Sequence, residues 1–193
     1  DEFYDTGIKE NYYAKGVSPF IKQTFDNNTI NGEPWSKYAA GYMWGVTGII
    51  YNPEDVTKQE ASTWKIINND KFRRMITVKD NVRDTMFAAI GAIKSDKLRS
   101  QDFIRQADYT DKLAEEMNDT SKDTVDEVLE YLQQVKDNVY SFETDSGKID
   151  AITGKISAGY QWSGDAVYIM QQAEANDVEL NFAIPEECTN MYF

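Results

Sequence analysis

Apolar positions along this chain follow two rhythms that take turns. Short runs of β-branched and aromatic residues read as strands at 48–52 (GIIYN), 75–79 (MITVK), 139–142 (VYSF), 156–160 (ISAGY) and 179–183 (ELNFA). Between them lie segments with helical spacing. Asp80-Asn81 sits where a cap belongs before a helix over 82–93, with Met86, Ala89, Ile90 and Ile93 on one face. Val125, Val128, Leu129, Leu132 and Val135 mark a second helix over 123–136. Further helices are expected over 61–69, 146–153 and 166–175, and a short amphipathic one over 1–16. Residues 17–38 are rich in Asn, Pro and Gly and read as a loop. Strands alternating with helices from 48 to 184 predict an α/β fold, a mostly parallel sheet covered by helices on both faces.

One stretch concentrates the chemistry. Gln161-Trp162-Ser163-Gly164-Asp165 lies at a strand-to-helix corner, with Gly164 expected to make the turn. In open α/β sheets such corners, at the carboxyl ends of strands, are where ligands bind. An indole face beside a carboxylate suits an organic cation, since the ring attracts the charge and the carboxylate accepts its N–H bonds. The same residues also fit a core tryptophan and a helix-capping aspartate. Asp84 has the same ambiguity: in the first turn of its helix it complements the helix dipole or meets a ligand.

Composition narrows the choice. The 193 residues carry a net charge of −13, which argues against nucleic acid as a partner. There is no histidine, which removes the commonest general base and the usual zinc sites. With one cysteine, Cys188, no intrachain disulfide forms. No apolar run of about 18 residues is present to span a membrane. The start at Asp1 and the stop at Phe193 read as an excised piece of a longer protein. Glu115, Glu116 and Asp119, and the acids of 123–130, fall on polar helix faces and read as solvated surface. Ser146-Gly147-Lys148 lacks the first glycine of a phosphate loop. The strand-end acids Asp80, Asp84, Asp145 and Asp165 accompany aromatics rather than a nucleophile or base, which favours binding over turnover and calls for no cofactor or metal.

Five pieces in order resemble a known family, the bacterial spermidine/putrescine-binding proteins of polyamine ABC transporters. Tyr42-Met43-Trp44-Gly45-Val46-Thr47-Gly48-Ile49-Ile50-Tyr51-Asn52 is similar to that family's Y-x-W-G-T-T-G-I-x-Y-N segment. Lys79 to Thr85, Val139 to Asp145, Gln161 to Ala166 and Ile184-Pro185-Glu186-Glu187 resemble its later motifs. The resemblance implies a type II periplasmic-binding-protein lobe over 48–183. Residues 1–47 would then be a remnant of the other lobe with the hinge lead-in, and 184–193 a hinge or crossover segment. It implies a polyamine ligand clamped between lobes, a membrane permease as partner and no catalysis. The implied location is periplasmic or extracellular, with lipid anchoring of the full-length protein as one form of it. Position by position, Trp162 would stack on the ligand's methylenes and Asp165 would pair with an ammonium. Asp84 would take another amine, with Asn81 or Asp80 close by, and Tyr192 would supply an aromatic wall. The chain departs from the family at Cys188, where glycine is usual, and in a longer stretch over 95–123. The family's next carboxylate would follow Phe193. The rival readings are the same fold binding a sugar or amino acid, a hydrolase using Asp84 and Asp165 as a carboxylate pair, and an interaction domain with no small ligand.

Overall fold

The computed structural model describes residues 15–144 and 146–192. The helix expected over 1–16 falls almost wholly outside them, as does Asp145. The described chain divides into two compact units, one ending at Trp44 and one comprising Gly45–Tyr192.

The first unit corrects the expected loop. Pro19–Asn27 is a helix, α1, capped by Ser18, whose side chain accepts from the Ile21 N–H. Proline at the first helical position costs nothing, because its missing N–H would have no intrahelical partner there. Ile21 and Phe25 are the buried face. A small hairpin follows, β1 (Thr29–Ile30) and β2 (Glu33–Pro34), turned through Asn31 and Gly32 at φ 53° and 80°.

The second unit is built on a mixed sheet. Its strands are β3 (Gly45–Tyr51), β4 (Ile76–Lys79), β5 (Ser141–Glu143), β6 (Ala158–Trp162), β7 (Asn181–Ala183) and β8 (Met191–Tyr192). The order is β5-β4-β6-β3-β7, with β8 also on β3. β4 runs parallel to β5 and β6, while β3 is antiparallel to β6, β7 and β8. The sheet is therefore parallel except for one opposed strand near its middle.

Alternation along β3 divides the core. Ile49 and Tyr51 point to one face, with Val78, Tyr160, Trp64 and Ala88. Ile50 points to the other, with Ala166, Ile169 and Ala173. The first face is covered by α3 (Val82–Ile93) and α7 (Lys122–Asn138); the second by α8 (Gly147–Ile152) and α9 (Ser163–Glu174). Between α2 (Lys58–Ala61) and β4, the helix expected over 61–69 is a 3-10 turn, Trp64–Asn68, capped by Thr63. The apolar stripe of α7 is narrower than its spacing suggests: Val128 and Val135 are buried, Val125 and Leu129 exposed.

The stretch 95–123 has a structural role. It folds into α4 (Ser95–Leu98), α5 (Gln101–Ile104) and α6 (Tyr109–Met117). Leu98, Phe103 and Met117 then form a separate core with Ala89 and Ile90 of α3 and Val128 of α7. The segment caps the outer side of that helix pair.

The returning segment after β7 is pinned by a buried carboxylate. Glu187 is fully buried and accepts from Thr63 Oγ1 at 2.5 Å, Ser95 Oγ at 2.5 Å and the Trp64 N–H at 3.3 Å. The Trp64 indole N–H donates to the Cys188 carbonyl at 3.0 Å. Burial and the Glu187 charge push the Cys188 thiol up to about 12, which makes it a poor nucleophile. Replacing Glu187 by Ala strips three donors of their acceptor. Unfolding in urea should show a loss of about 3 kcal/mol for Glu187→Ala, and a smaller loss for Glu187→Gln, which keeps one oxygen.

Candidate functional site

β4, β5 and β6 run the same way, so their carboxyl ends share one edge of the sheet. The loops leaving that edge begin α3, α8 and α9, and they carry most of the expected site residues. Asn81 is the cap of α3: its Oδ1 accepts from the Arg83 and Asp84 N–H groups at 3.0 and 3.2 Å. Asp84 therefore sits in the first turn, buried. At the other corner the chain passes from strand to helix without a glycine turn. Trp162 is the cap position, Ser163 begins α9, and Gly164 is helical. Asp165 lies in the first turn and makes no cap.

The structure brings Trp162, Asp84 and Tyr192 together. The Trp162 side chain lies close enough to Asp84 to favour its charged form. Tyr192 lies against the indole, ring centres 6.2 Å apart and tilted by 58°. Gly45 makes room for it, since a Cβ there would come within 2.3 Å of the Tyr192 hydroxyl. The Ser163 hydroxyl accepts from the Val46 N–H at 3.1 Å, tying the start of α9 to β3.

Lys79, Glu143 and Gln161, which the sequence gives no sign of as a site, form its floor. Lys79 ends β4 and Glu143 ends β5, opposite one another in register. Both are almost fully buried, with Lys79 Nζ 3.7 Å from Glu143 Oε1. Lys79 also donates to Gln161 Oε1 at 2.8 Å and to the Thr144 carbonyl at 3.0 Å. Gln161 Nε2 donates to Glu143 at 3.2 Å, and the Gly147 N–H at 2.8 Å. The Lys79 ammonium lies 4.5 Å from the centre of the Trp162 ring, a cation–π contact that fixes the indole from below.

Asp165 stands apart from that cluster in its partner. Lys148 of α8 reaches it at 2.9 Å, and both side chains are about a quarter exposed. The Ser-Gly-Lys that makes no phosphate loop thus supplies a cation to the carboxylate expected to bind one. Asp80 is exposed, next to the cap. Among the described residues no group of three or more His, Cys, Asp or Glu side chains could hold a metal ion.

A family model described as bacterial extracellular solute-binding protein matches residues 1–192. The chain belongs to this family. It is similar to the spermidine/putrescine-binding periplasmic protein 1 of Haemophilus influenzae, 20% identical over 152 residues, which is 79% of this chain and 36% of that protein. In structure it is similar to the spermidine/putrescine ABC transporter substrate-binding protein PotD of Streptococcus pneumoniae. That likeness has a TM-score of 0.66 and 20% identity, over 99% of this chain and 48% of that one. A protein provisionally named a spermidine/putrescine ABC transporter, from Listeria monocytogenes, gives 0.66 and 21%, over 96% and 48%. The chain spans about half the length of these structures or less of the curated relative. The fold is that of type II periplasmic binding proteins. No helix among the described residues is long and apolar enough to cross a membrane.

Two measurements test the site's electrostatics. Lys79→Met leaves Glu143 buried without its cation and should cost about 3–5 kcal/mol in urea unfolding. Burial holds the Asp84 carboxyl above its ordinary value, against the opposing pull of the nearby Trp162 side chain and the charges of Arg83 and Lys79. A carboxyl raised on folding binds its proton more tightly in the native state. Its stabilising contribution is present at low pH and lost as pH rises through the folded value. Carbon-detected NMR should therefore find Asp84 titrating above the usual aspartate range, and Asp84→Asn should be more stable than the parent at pH 7.

Proposed function

We propose that this chain is the cation-binding lobe of a polyamine receptor for an ABC transporter, with residues 48–183 as the lobe and 184–193 as its hinge segment. The observation that carries this reading is that the site already holds two alkylammonium groups, both from its own chain. One lies over the Trp162 ring and the other against Asp165. A lysine side chain is a four-carbon alkylammonium, the repeating chemistry of putrescine and spermidine. The similarity to polyamine-binding relatives supports the same ligand class. In this reading the indole edge and Tyr192 pack on methylenes, while Asp84 and Asp165 accept N–H bonds, with Asn81 at the rim. A membrane permease is the partner, and the protein works in the periplasm or outside the cell.

One observation favours a second reading. Asp84 is buried and raised above its ordinary value, as a general acid is in a carboxylate-pair hydrolase. Its would-be partner Asp165 is ion-paired to Lys148 rather than facing it with a water between. Hydrolysis of aryl glycosides, lost in Asp84→Asn, would decide for that reading.

Calorimetric titration of the full-length protein tests the polyamine reading. Putrescine or spermidine should bind, and butylamine, with a single charge, should not. Charge-assisted bonds of this kind contribute enough that Asp165→Asn should weaken binding by about 10- to 100-fold. Trp162→Ala should weaken it by about 10-fold. Absence of binding by both polyamines would overturn the reading.

A further inference from the structure

The two lysines at the site differ in one respect that bears on ligand capture. Lys79 is fixed: it is fully buried on three adjacent strand ends, and its removal would strand Glu143. Lys148 is less enclosed. It is the second residue of a six-residue helix, on the loop side of α8, and is about a quarter exposed together with its partner. The carboxylates differ in the same sense. Asp84 is the more enclosed of the two. Asp165 is open to solvent on one side and held by an ammonium that can be rehydrated when released.

We propose that Lys148 is a built-in stand-in for the ligand, an ammonium that neutralises Asp165 and is exchanged for an amine of the bound cation. This rests on the polyamine reading above and adds a specificity determinant to it. Exchange of one ammonium for another keeps the local charge balanced, so Asp165 is never left as a bare carboxylate against α8. Only a ligand that brings its own cation can complete the exchange. A neutral solute brings no cation to take the place of Lys148 at Asp165, and is rejected on that ground. The same competition lowers affinity for the correct ligand, because each binding event must first open the Lys148–Asp165 pair.

The test is a double-mutant cycle on the full-length protein, read by calorimetric titration with putrescine and spermidine. Partly exposed ion pairs are worth little enough that Lys148→Met should tighten polyamine binding by about 3- to 5-fold. Lys148→Gln should do the same, and guards against an effect of the methionine. Lys148→Arg, which keeps the charge, should bind no tighter than the parent. In an Asp165→Asn background the gain from Lys148→Met should vanish, since there is no carboxylate left to contest. If the parent binds polyamine and Lys148→Met and Lys148→Gln bind no tighter, the stand-in is refuted while the polyamine reading survives. Weaker binding by both would make Lys148 a ligand contact and overturn the proposal equally. If neither parent nor variants bind polyamine, the reading beneath the proposal fails, and the proposal with it.

Discussion

A lysine ammonium taken out of water must find a carboxylate, and in the larger unit it finds one across a strand pair. Lys79 and Glu143 end neighbouring parallel strands in register, and Gln161 on the third strand joins both. That network clamps the carboxyl edges of β4, β5 and β6 at a fixed height. The loops that leave the edge, and the helices they begin, inherit their positions from it. Trp162 is seated on the same ammonium, so the aromatic surface of the site is set by an ion pair beneath it. A buried pair of this kind is weak evidence for stability, because desolvation offsets much of the attraction. Its effect here is geometric.

How far the sequence exposes this arrangement depends on whether the signal is local. Asp80-Asn81 could be read as a cap because capping is settled within four consecutive residues, and the helix behind it runs over the residues its spacing marks. The strands at 48–52 and 75–79 are visible for the same reason. The opposed direction of β3 is not visible, since hydrophobic alternation carries no sign of strand polarity. α1 was hidden by Asn-rich flanks and by a proline that, at its position, favours a helix that it would break elsewhere. Of the site, Tyr192 came only through the family resemblance, and the structure sets its ring against the Trp162 indole. Lys79 was not legible, because a lysine closing a β-branched strand looks like the solvent-facing end of an alternation. Nor was the tie between Lys148 and Asp165, which spans two helices and leaves no spacing to read.

The returning segment shows how an uncharged neighbourhood can hold a charge. Glu187 meets hydroxyl and backbone donors rather than a cation. These donors come from the 3-10 turn and the start of α4, so one carboxylate joins three pieces of chain distant in sequence. Cys188 follows at once, its carbonyl taken by the Trp64 indole. The site and the return segment thus rest on the two opposite solutions for a buried carboxylate, a paired ammonium in one place and a set of neutral donors in the other.

Strand β3 has a mechanical meaning beyond its place in the sheet. The larger unit begins on it at Gly45 and ends beside it at Tyr192, and those two residues are paired across a ladder only two residues long. A load applied at both termini of this unit pulls on adjacent strands from the same end, so it opens the β3–β8 ladder like a zipper, one pair at a time. The five pairs between β3 and β6 lie farther along and are reached only afterwards. The first rung to part is the one that carries Tyr192, so tension would strip the tyrosine ring from the indole before it disturbed the rest of the sheet.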